Sequence, residues 1–283
     1  YLRLLRGMVK PIRLYYISQC FRYEEPQYGR YREFWQGGLE IIGDPGINSD
    51  LSVAYTASTF LENIGVKHYY IVSNVYLHRL ILSRAGVSIE KQDEILHYID
   101  KDMVDKAFET LSSNTSSEYV EAFRKLVETP IDKLDDFIEE YRGLIGDQID
   151  KFREEVDKTR LFIDTLQSLG FKAVYNPRLV RGLAYYTGLI YEYKVETGGF
   201  KLSIGGGGRC DDLTRVYSNI SEYSTGLALG LDRIALILKG SRSIRLIDNS
   251  RQVLIISLEN TPLEYSYRVL SLLTRSSIGG WIY

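Results

Sequence analysis

The sequence predicts an α+β protein built on an antiparallel sheet that is flanked by helices and interrupted by an all-helical segment. Two β-hairpins, one in each half of the chain, indicate the sheet, because apolar and β-branched residues lie on either side of turn residues. Between them, apolar residues recur at helical spacing from residue 77 to residue 169. We therefore expect the helical segment to be an insertion in the sheet domain.

Composition and charge limit the class of protein. The chain has 283 residues, of which 45% are hydrophobic and 25% charged, which is typical of a globular protein rather than a disordered or fibrous one. A net charge of −2 gives no overall attraction for nucleic acid, so such a partner would need a local basic patch. No apolar run approaches the roughly 18 residues of a membrane helix, and the two cysteines show no CxxC spacing. We expect a soluble, cytoplasmic protein with no membrane partner and no protein-bound metal.

The first hairpin carries more charge than a structural hairpin needs. Residues 15–21 and 34–42 are predicted as its strands, and residues 24–29 have the turn chemistry of its tip. Arg22 ends the first strand, and Arg30 precedes the second. A concentration of arginine at a hairpin tip indicates a ligand of opposite charge.

A helix and a short strand are expected to follow this hairpin. The turn at residues 44–46 precedes apolar residues at helical spacing over 51–61, and Gly65 ends that helix. Residues 68–75 are predicted as a short buried strand. We assign no chemistry to the helical segment that comes next, whose charges are expected to form a solvated face.

The second hairpin starts after Gly188 and ends in four successive glycines, residues 205–208. Because glycine costs backbone entropy, the run indicates that something approaches the backbone closely, and a flexible loop is the alternative. Residues 225–238 are predicted as a strand that runs into an apolar helix, with Arg233 at the junction. An arginine there opposes the helix dipole, so an anionic ligand explains it better.

Three arginines, each beside a glycine or at the end of an element, could act together. Guanidinium groups bind phosphate oxygens in bidentate fashion and stay charged, so Arg22, Arg181 and Arg233 could surround a polyphosphate. The sequence has no GxxxxGK[ST] motif and no GxGxxG that follows a strand, which disfavours P-loop and dinucleotide-binding folds. We expect a nucleotide to lie on the antiparallel sheet.

Four segments resemble the motifs of the histidyl-tRNA synthetase family of class II aminoacyl-tRNA synthetases. FRYEEPQYGRYREFWQGGLEIIG (21–43) is similar to motif 2, and GLALGLDRI (226–234) is similar to motif 3. LVRGLAYYTGLIYEY (179–193) and SIGGGGRCDDL (203–213) resemble the family's two histidine motifs. The segments follow the family's order, so the resemblance implies a class II synthetase-type antiparallel sheet flanked by helices.

The resemblance implies an aminoacyl-tRNA ligase of protein biosynthesis that activates L-histidine with ATP and transfers it to tRNA(His). ATP would bind together with Mg²⁺, and the full-length parent would be a homodimer. By position in the motifs, the expected catalytic residues are Arg22, Arg181 and Arg233, of which the first two would contact the α-phosphate and the third the γ-phosphate. Further ATP contacts are implied for Glu24, Arg30 and Phe34. Histidine contacts are implied for Gln36, Glu40, Arg181, Tyr185 and Tyr186.

Two residues depart from the family's motifs, and two other functions remain open. Ala184 stands where the first histidine motif has an acid, and Cys210 stands where the second has a tyrosine. A catalytically inactive synthetase-like paralogue, such as the regulatory subunit of ATP phosphoribosyltransferase, is one alternative. Such paralogues lose the arginine that Arg181 matches, which favours the enzyme. A generic nucleotide-binding α+β protein explains the arginines but not the four ordered motifs.

On this interpretation, residues 1–76 and 170–240 form a catalytic domain. The first part carries motif 2, and the second carries the histidine motifs and motif 3. Residues 77–169 are the helical insertion, and residues 241–283 are a linker and the truncated start of an α/β anticodon-binding domain. The chain begins with Tyr1 rather than Met, and it ends within an apolar run, so we expect a piece of a longer protein.

Overall fold

A computed structural model describes residues 1–23, 25, 29–180, 185–197, 200–239, 252–258, 261–276 and 278–282. The strands are β1 (Ile12–Phe21), β2 (Glu33–Ile42), β3 (Tyr69–Asn74), β4 (Lys172–Tyr175), β5 (Leu189–Thr197), β6 (Phe200–Arg209), β7 (Ser224–Gly230), β8 (Gln252–Ile255) and β9 (Gly279–Ile282). The α-helices are α1 (Ile47–Asn63), α2 (Val75–Arg84), α3 (Ile89–Asp100), α4 (Val104–Ser112), α5 (Ser117–Leu126), α6 (Leu134–Glu140), α7 (Arg142–Ile145), α8 (Ile149–Ser168), α9 (Leu213–Tyr217), α10 (Leu231–Leu238) and α11 (Leu263–Arg275).

Seven strands form one sheet in the order β1-β2-β7-β6-β5-β3-β4. All neighbours in it are antiparallel except β3 and β4, which are parallel. The first hairpin supplies β1 and β2 at one edge, and the second hairpin supplies β5 and β6. Strand β7 pairs with both hairpins, so it joins the two halves of the chain. The antiparallel sheet flanked by helices that the sequence predicts is confirmed, with a parallel pair added at the far edge.

Two apolar cores support this arrangement. Helices α1 and α8 cover one face of the sheet, where Leu51, Phe162 and Tyr191 are fully buried. Helices α2 to α7 pack with the first half of α8 around a second core that contains Phe123 and Phe137. This part of the chain is helical, as its apolar spacing predicts. In the part of the chain that the structure describes, no helix is both long and apolar enough to span a membrane.

A small β-α-β unit lies at the end of the chain. Strands β8 and β9 pair in parallel, and α11 lies between them in sequence. The unit packs against the main sheet domain through Tyr267, whose ring centre is 5.6 Å from that of Tyr55 and whose hydroxyl donates to the carbonyl oxygen of Asn48 at 3.1 Å.

The four successive glycines lie within strand β6, between β5 and β7. A Cβ atom added at Gly207 would overlap the carbonyl oxygen of Gly226 and the Cα atom of Leu227, both in β7. At Gly205 it would lie 2.5 Å from the carbonyl oxygen of Ala228. The flexible-loop alternative is therefore wrong, and the close approach that the glycines allow is that of the neighbouring strand.

This packing gives a first prediction. Gly207→Ala is expected to lower the free energy of unfolding by about 3 kcal/mol, because the atoms that meet the new methyl group belong to the backbone of β7 and cannot rotate away. Gly143→Ala, in α7 with nothing within 4 Å of the added Cβ atom, is the control. It is expected to stabilise the protein by up to about 1 kcal/mol. Urea unfolding measures both, and equal stability of the two variants would contradict the explanation.

Candidate active site

A cleft of about 690 Å³ opens on the face of the sheet opposite helices α1 and α8. Its volume lies within the roughly 300–1,000 Å³ of small-molecule sites. Side chains alternate along a strand, so even-numbered residues of β2 face the cleft while Ile41 faces the core. Eight of the residues predicted from the motifs line it: Arg22, Arg30, Phe34, Gln36, Glu40, Tyr185, Tyr186 and Arg233. The other two, Glu24 and Arg181, lie outside the described residues.

Two of the predicted arginines are held at the mouth of this cleft. The Arg22 guanidinium lies 4.2 Å from the centre of the Phe34 ring, and its Nε donates to the carbonyl oxygen of Tyr31 at 3.0 Å. Arg233 stands in the first turn of α10 and donates from Nε to the carbonyl oxygen of Gly29 at 2.6 Å. These contacts fix both guanidinium groups beside the tip of the first hairpin.

The floor of the cleft depends on two glycines, Gly38 and Gly226. Tyr16 of β1 is paired with Gly38 of β2, and a Cβ atom at Gly38 would overlap the Tyr16 ring. The Glu40 carboxylate lies against Gly226 of β7, where a Cβ atom would overlap it. The Tyr16 ring and the Glu40 carboxylate can therefore lie directly against the backbone of the sheet. Gln36 donates a hydrogen bond from Nε2 to the Tyr16 hydroxyl.

Glu40 is a carboxylate in an unfavourable environment. Burial raises its pKa from 4.5 to about 7, because desolvation disfavours the charged form. Near neutral pH, Glu40 is therefore only partly ionised, because its surroundings in the protein compensate the negative charge incompletely. A ligand that brings a cation or an N–H donor to it would favour the ionised form.

Cys210 lies at the inner end of the cleft, directly after β6. Its side chain is buried, and its Sγ is 3.4 Å from Oγ of Ser224. Burial raises the pKa of the Cys210 thiol to about 11, so the group is neutral at physiological pH. A thiol is a weak hydrogen-bond donor, so this position offers the cleft little polar recognition.

The residue before Cys210 anchors the end of β6. Arg209 is buried and pairs with the buried carboxylate of Asp50 in α1. It also donates to the carbonyl oxygens of Asp44 and Gly46, at 2.6 Å and 2.9 Å. The glycine-rich strand is thereby tied to the turn that follows the first hairpin.

The structure adds cleft residues that the sequence did not predict. His97, Asp100 and Lys101, from the end of α3, line the cleft from the side of the helical segment. Helical spacing shows which face of α3 is apolar but not where its end points, so the sequence alone gave no signal for them. Tyr16 also lines the cleft. Its position could have been found from the hairpin register, which places it beside Gly38.

Two other carboxylates of the cleft are engaged within the protein. Asp232 accepts a hydrogen bond from the backbone N–H of Trp35 at 2.6 Å, and Glu192 pairs with Lys194 at 2.7 Å. Among the residues that the structure describes, no three or more His, Cys, Asp or Glu side chains are grouped so that they could hold a metal ion. The described donors of the cleft thus suit an organic anion and a hydrogen-bonding ligand.

Comparison with solved structures identifies the fold. The histidyl-tRNA synthetase of Nostoc sp. PCC 7120 matches with a TM-score of 0.65 at 18% identity, over 100% of this chain and 67% of the other. A Bacillus halodurans protein described as ATP phosphoribosyltransferase regulatory subunit/histidyl-tRNA synthetase matches with a TM-score of 0.65 at 20% identity, over 99% of this chain and 70% of the other. The fold is that of the class II synthetases of the histidyl type.

Sequence comparison defines the family. The family model described as histidyl-tRNA synthetase matches residues 2–234. The histidine–tRNA ligase of Sulfolobus acidocaldarius is 34% identical over 99% of this chain, and that of Sulfurisphaera tokodaii is 35% identical over 95% of it. The chain covers 65% and 62% of these two relatives, which is less than two thirds of their lengths. The chain belongs to the histidyl-tRNA synthetase family.

The buried carboxylate on the cleft floor gives a second prediction. Between pH 4.5 and about 7, the folded state holds more protons at Glu40 than the unfolded state does, so Glu40 lowers stability progressively as the pH rises through this window. Glu40→Gln removes that cost. The variant is expected to unfold with a larger free energy than the unaltered protein at pH 8, by up to roughly 3 kcal/mol, and with little difference at pH 4.

Denaturant unfolding at the two pH values measures this effect, with Glu121→Gln in α5 as an exposed control. The control is expected to give the same small change at both pH values. A gain for Glu40→Gln that is equally large at pH 4 and pH 8 would show that packing, and not ionisation, is responsible.

Proposed function

We propose that the protein containing this chain is a histidine–tRNA ligase, which activates histidine with ATP as histidyl-adenylate and transfers it to tRNA(His). The single observation that carries the proposal is the composition of the cleft. Guanidinium groups suited to phosphates lie at its mouth, and the polar side chains of Gln36 and Glu40 lie on its floor. Membership of the synthetase family supports the same reaction.

ATP would enter as its Mg²⁺ complex, with the metal held mainly by phosphate oxygens, as Mg²⁺ commonly is in nucleotide sites. Arg22 now covers the Phe34 ring. A cation–π contact is worth roughly 0.5–1 kcal/mol at an exposed site, which is less than a charge-assisted bond to phosphate. We expect the α-phosphate to draw the guanidinium away, which leaves the ring free to stack on adenine. Arg233 would cover the other face of adenine and contact the γ-phosphate.

Histidine would lie deeper in the cleft, over the floor formed by β1, β2 and β7. The Glu40 carboxylate would accept a hydrogen bond from the imidazole, and the Gln36 carbonyl oxygen would accept one from the α-amine. A site that hydrogen-bonds its substrate rejects analogues that leave its polar groups unpaired. Glu40 would then select against apolar amino acids of similar size.

Catalysis would come from positioning and electrostatics. The histidine carboxylate would attack the α-phosphorus of ATP, and pyrophosphate would leave. Negative charge grows on the α-phosphate oxygens in the transition state, where Arg22 and Arg181 would stabilise it. No side chain of the chain needs to act as a nucleophile, because the substrate supplies its own carboxylate.

The activation step can be tested directly. The full-length protein is expected to exchange radioactive pyrophosphate into ATP only when L-histidine is present, because the reverse reaction requires the adenylate. Phenylalanine, which lacks the ring nitrogens, is the matched negative substrate. If exchange stays at background with histidine in a folded preparation that binds ATP, the protein is instead a non-catalytic relative of the synthetases.

A separate prediction concerns Arg181. Arg181→Ala is expected to lower the turnover of the exchange reaction by about 100-fold or more, with a much smaller change in the KM for histidine, because the guanidinium is needed mainly where charge develops. Arg178→Ala is the control, since Arg178 is an exposed arginine three positions earlier that pairs with Glu128 at 3.4 Å. Steady-state kinetics of both variants measures the effect. Parallel changes in turnover and KM would indicate a binding role.

A further inference from the structure

His78 is a buried titratable residue that the proposed reaction does not use. It belongs to helix α2, is fully buried in the second core, and packs against Phe123 with the ring centres 6.0 Å apart. Both of its ring nitrogens face carbonyl oxygens. Nδ1 lies 3.1 Å from that of Asn74, and Nε2 lies 2.7 Å from that of Pro177. A neutral imidazole has one N–H group, so in the neutral form only one of these contacts is a hydrogen bond.

The contact to Pro177 is the one that carries the proton. Burial lowers the pKa of His78 to about 4, so the ring is neutral at physiological pH. Asn74 is the N-cap of α2, and the carbonyl oxygen of an N-cap already accepts the first backbone bond of its helix. The Pro177 contact is also the shorter of the two. Nε2–H therefore donates to the carbonyl oxygen of Pro177, 99 positions away in sequence.

Pro177 lies where the chain leaves the sheet for the helical segment. The residue before it, Asn176, still belongs to the sheet, because its backbone N–H donates to the backbone of β3 at 2.8 Å. Three positions after Pro177, Val180 is buried in the second core. Arg181 follows directly in sequence. The bond from His78 thus holds the backbone at the start of the path that leads to Arg181.

The second core also supports the described part of the cleft wall. Tyr186 and Cys210 line the cleft and are buried in this core, and Tyr185 packs against it. Val180 and Tyr185 are the described residues on either side of positions 181–184. The helical segment therefore contacts the first histidine motif both before and after these positions.

We propose that His78 is a positioning residue for the activation step, whose bond to Pro177 fixes the backbone that enters the first histidine motif and with it the position of Arg181; this rests on the proposed function. His78 acts through the backbone and touches no substrate. Without the bond, the carbonyl oxygen of Pro177 must be hydrated instead, which displaces the backbone that carries it. A displacement of about 1 Å at a reacting group can lower a rate by about 100-fold.

The test compares two replacements of nearly equal length, of which only one can donate. His78→Gln places an amide N–H near the position of Nε2. His78→Met has no donor, fills apolar cores readily and favours a helix. Ile81→Val is the control, because Ile81 is fully buried in the same helix and core and its truncation loosens the packing while it leaves the His78 bond in place. Pyrophosphate exchange by the full-length protein gives kcat and both KM values, and thermal unfolding gives the stability of each variant.

His78→Met is expected to lower kcat by about 10- to 100-fold, with the KM values for histidine and ATP changed by less than about threefold. His78→Gln is expected to keep kcat within about threefold of the unaltered protein. Ile81→Val is expected to lower the stability and leave kcat unchanged. Equal kcat values for His78→Gln and His78→Met would overturn the inference and leave the proposed function standing. A loss of kcat in Ile81→Val that matches the loss in His78→Met would overturn it too.

Hydrogen exchange of the backbone amides in residues 176–187 tests the positioning independently of activity. These amides are expected to exchange faster in His78→Met than in His78→Gln or Ile81→Val, and equal rates in the three variants would overturn the inference. If the unaltered protein shows no histidine-dependent pyrophosphate exchange, the proposed function fails, and a role of His78 in activation fails with it.

Discussion

The cleft depends on how closely side chains can approach the backbone of the sheet. Gly38 and Gly226 leave room for the Tyr16 ring and the Glu40 carboxylate, and any side chain at either position would occupy the same space. A glycine within a strand is unfavourable by roughly 0.5–1 kcal/mol. Such residues reduce the stability of the sheet face that forms the site. The opposite face must then supply the stabilising contacts, and it does so through the core between the sheet and helices α1 and α8.

The buried ion pair of Arg209 and Asp50 links that stabilising layer to the site. Asp50 belongs to α1, and Arg209 ends the glycine-rich strand. A buried ion pair contributes little net stability, yet the loss of either partner would leave an uncompensated buried charge. The ion pair instead fixes the position of the end of β6, because the carbonyl oxygens of Asp44 and Gly46 bind the same guanidinium. Cys210 follows immediately, so the inner end of the cleft is set by a contact made in the opposite layer.

Local patterns predicted the hairpins and the helical segment, and the resemblance to the synthetase motifs supplied most of the candidate site residues, eight of which line the cleft. Alternation indicated both hairpins, and helical spacing indicated the long helical segment, because each pattern reports which faces of one element are buried. The sequence left the role of the glycine run ambiguous. The glycines are needed because the backbone of β7 lies directly against them, and β7 is their neighbour only in the folded sheet. His97 and Lys101 line the cleft because the end of α3 points toward it. Tyr16 required the strand register. Each of these depends on tertiary placement, which a local pattern does not contain.

The buried carboxylate of Glu40 determines the electrostatic character of the cleft floor. Burial raises the pKa of Glu40 to about 7, because desolvation disfavours the charged form. A ligand that brings a cation or an N–H donor to this carboxylate would offset the cost of its desolvation. Because Gly226 lets the carboxylate lie against the backbone, such a ligand must reach the sheet itself to contact it.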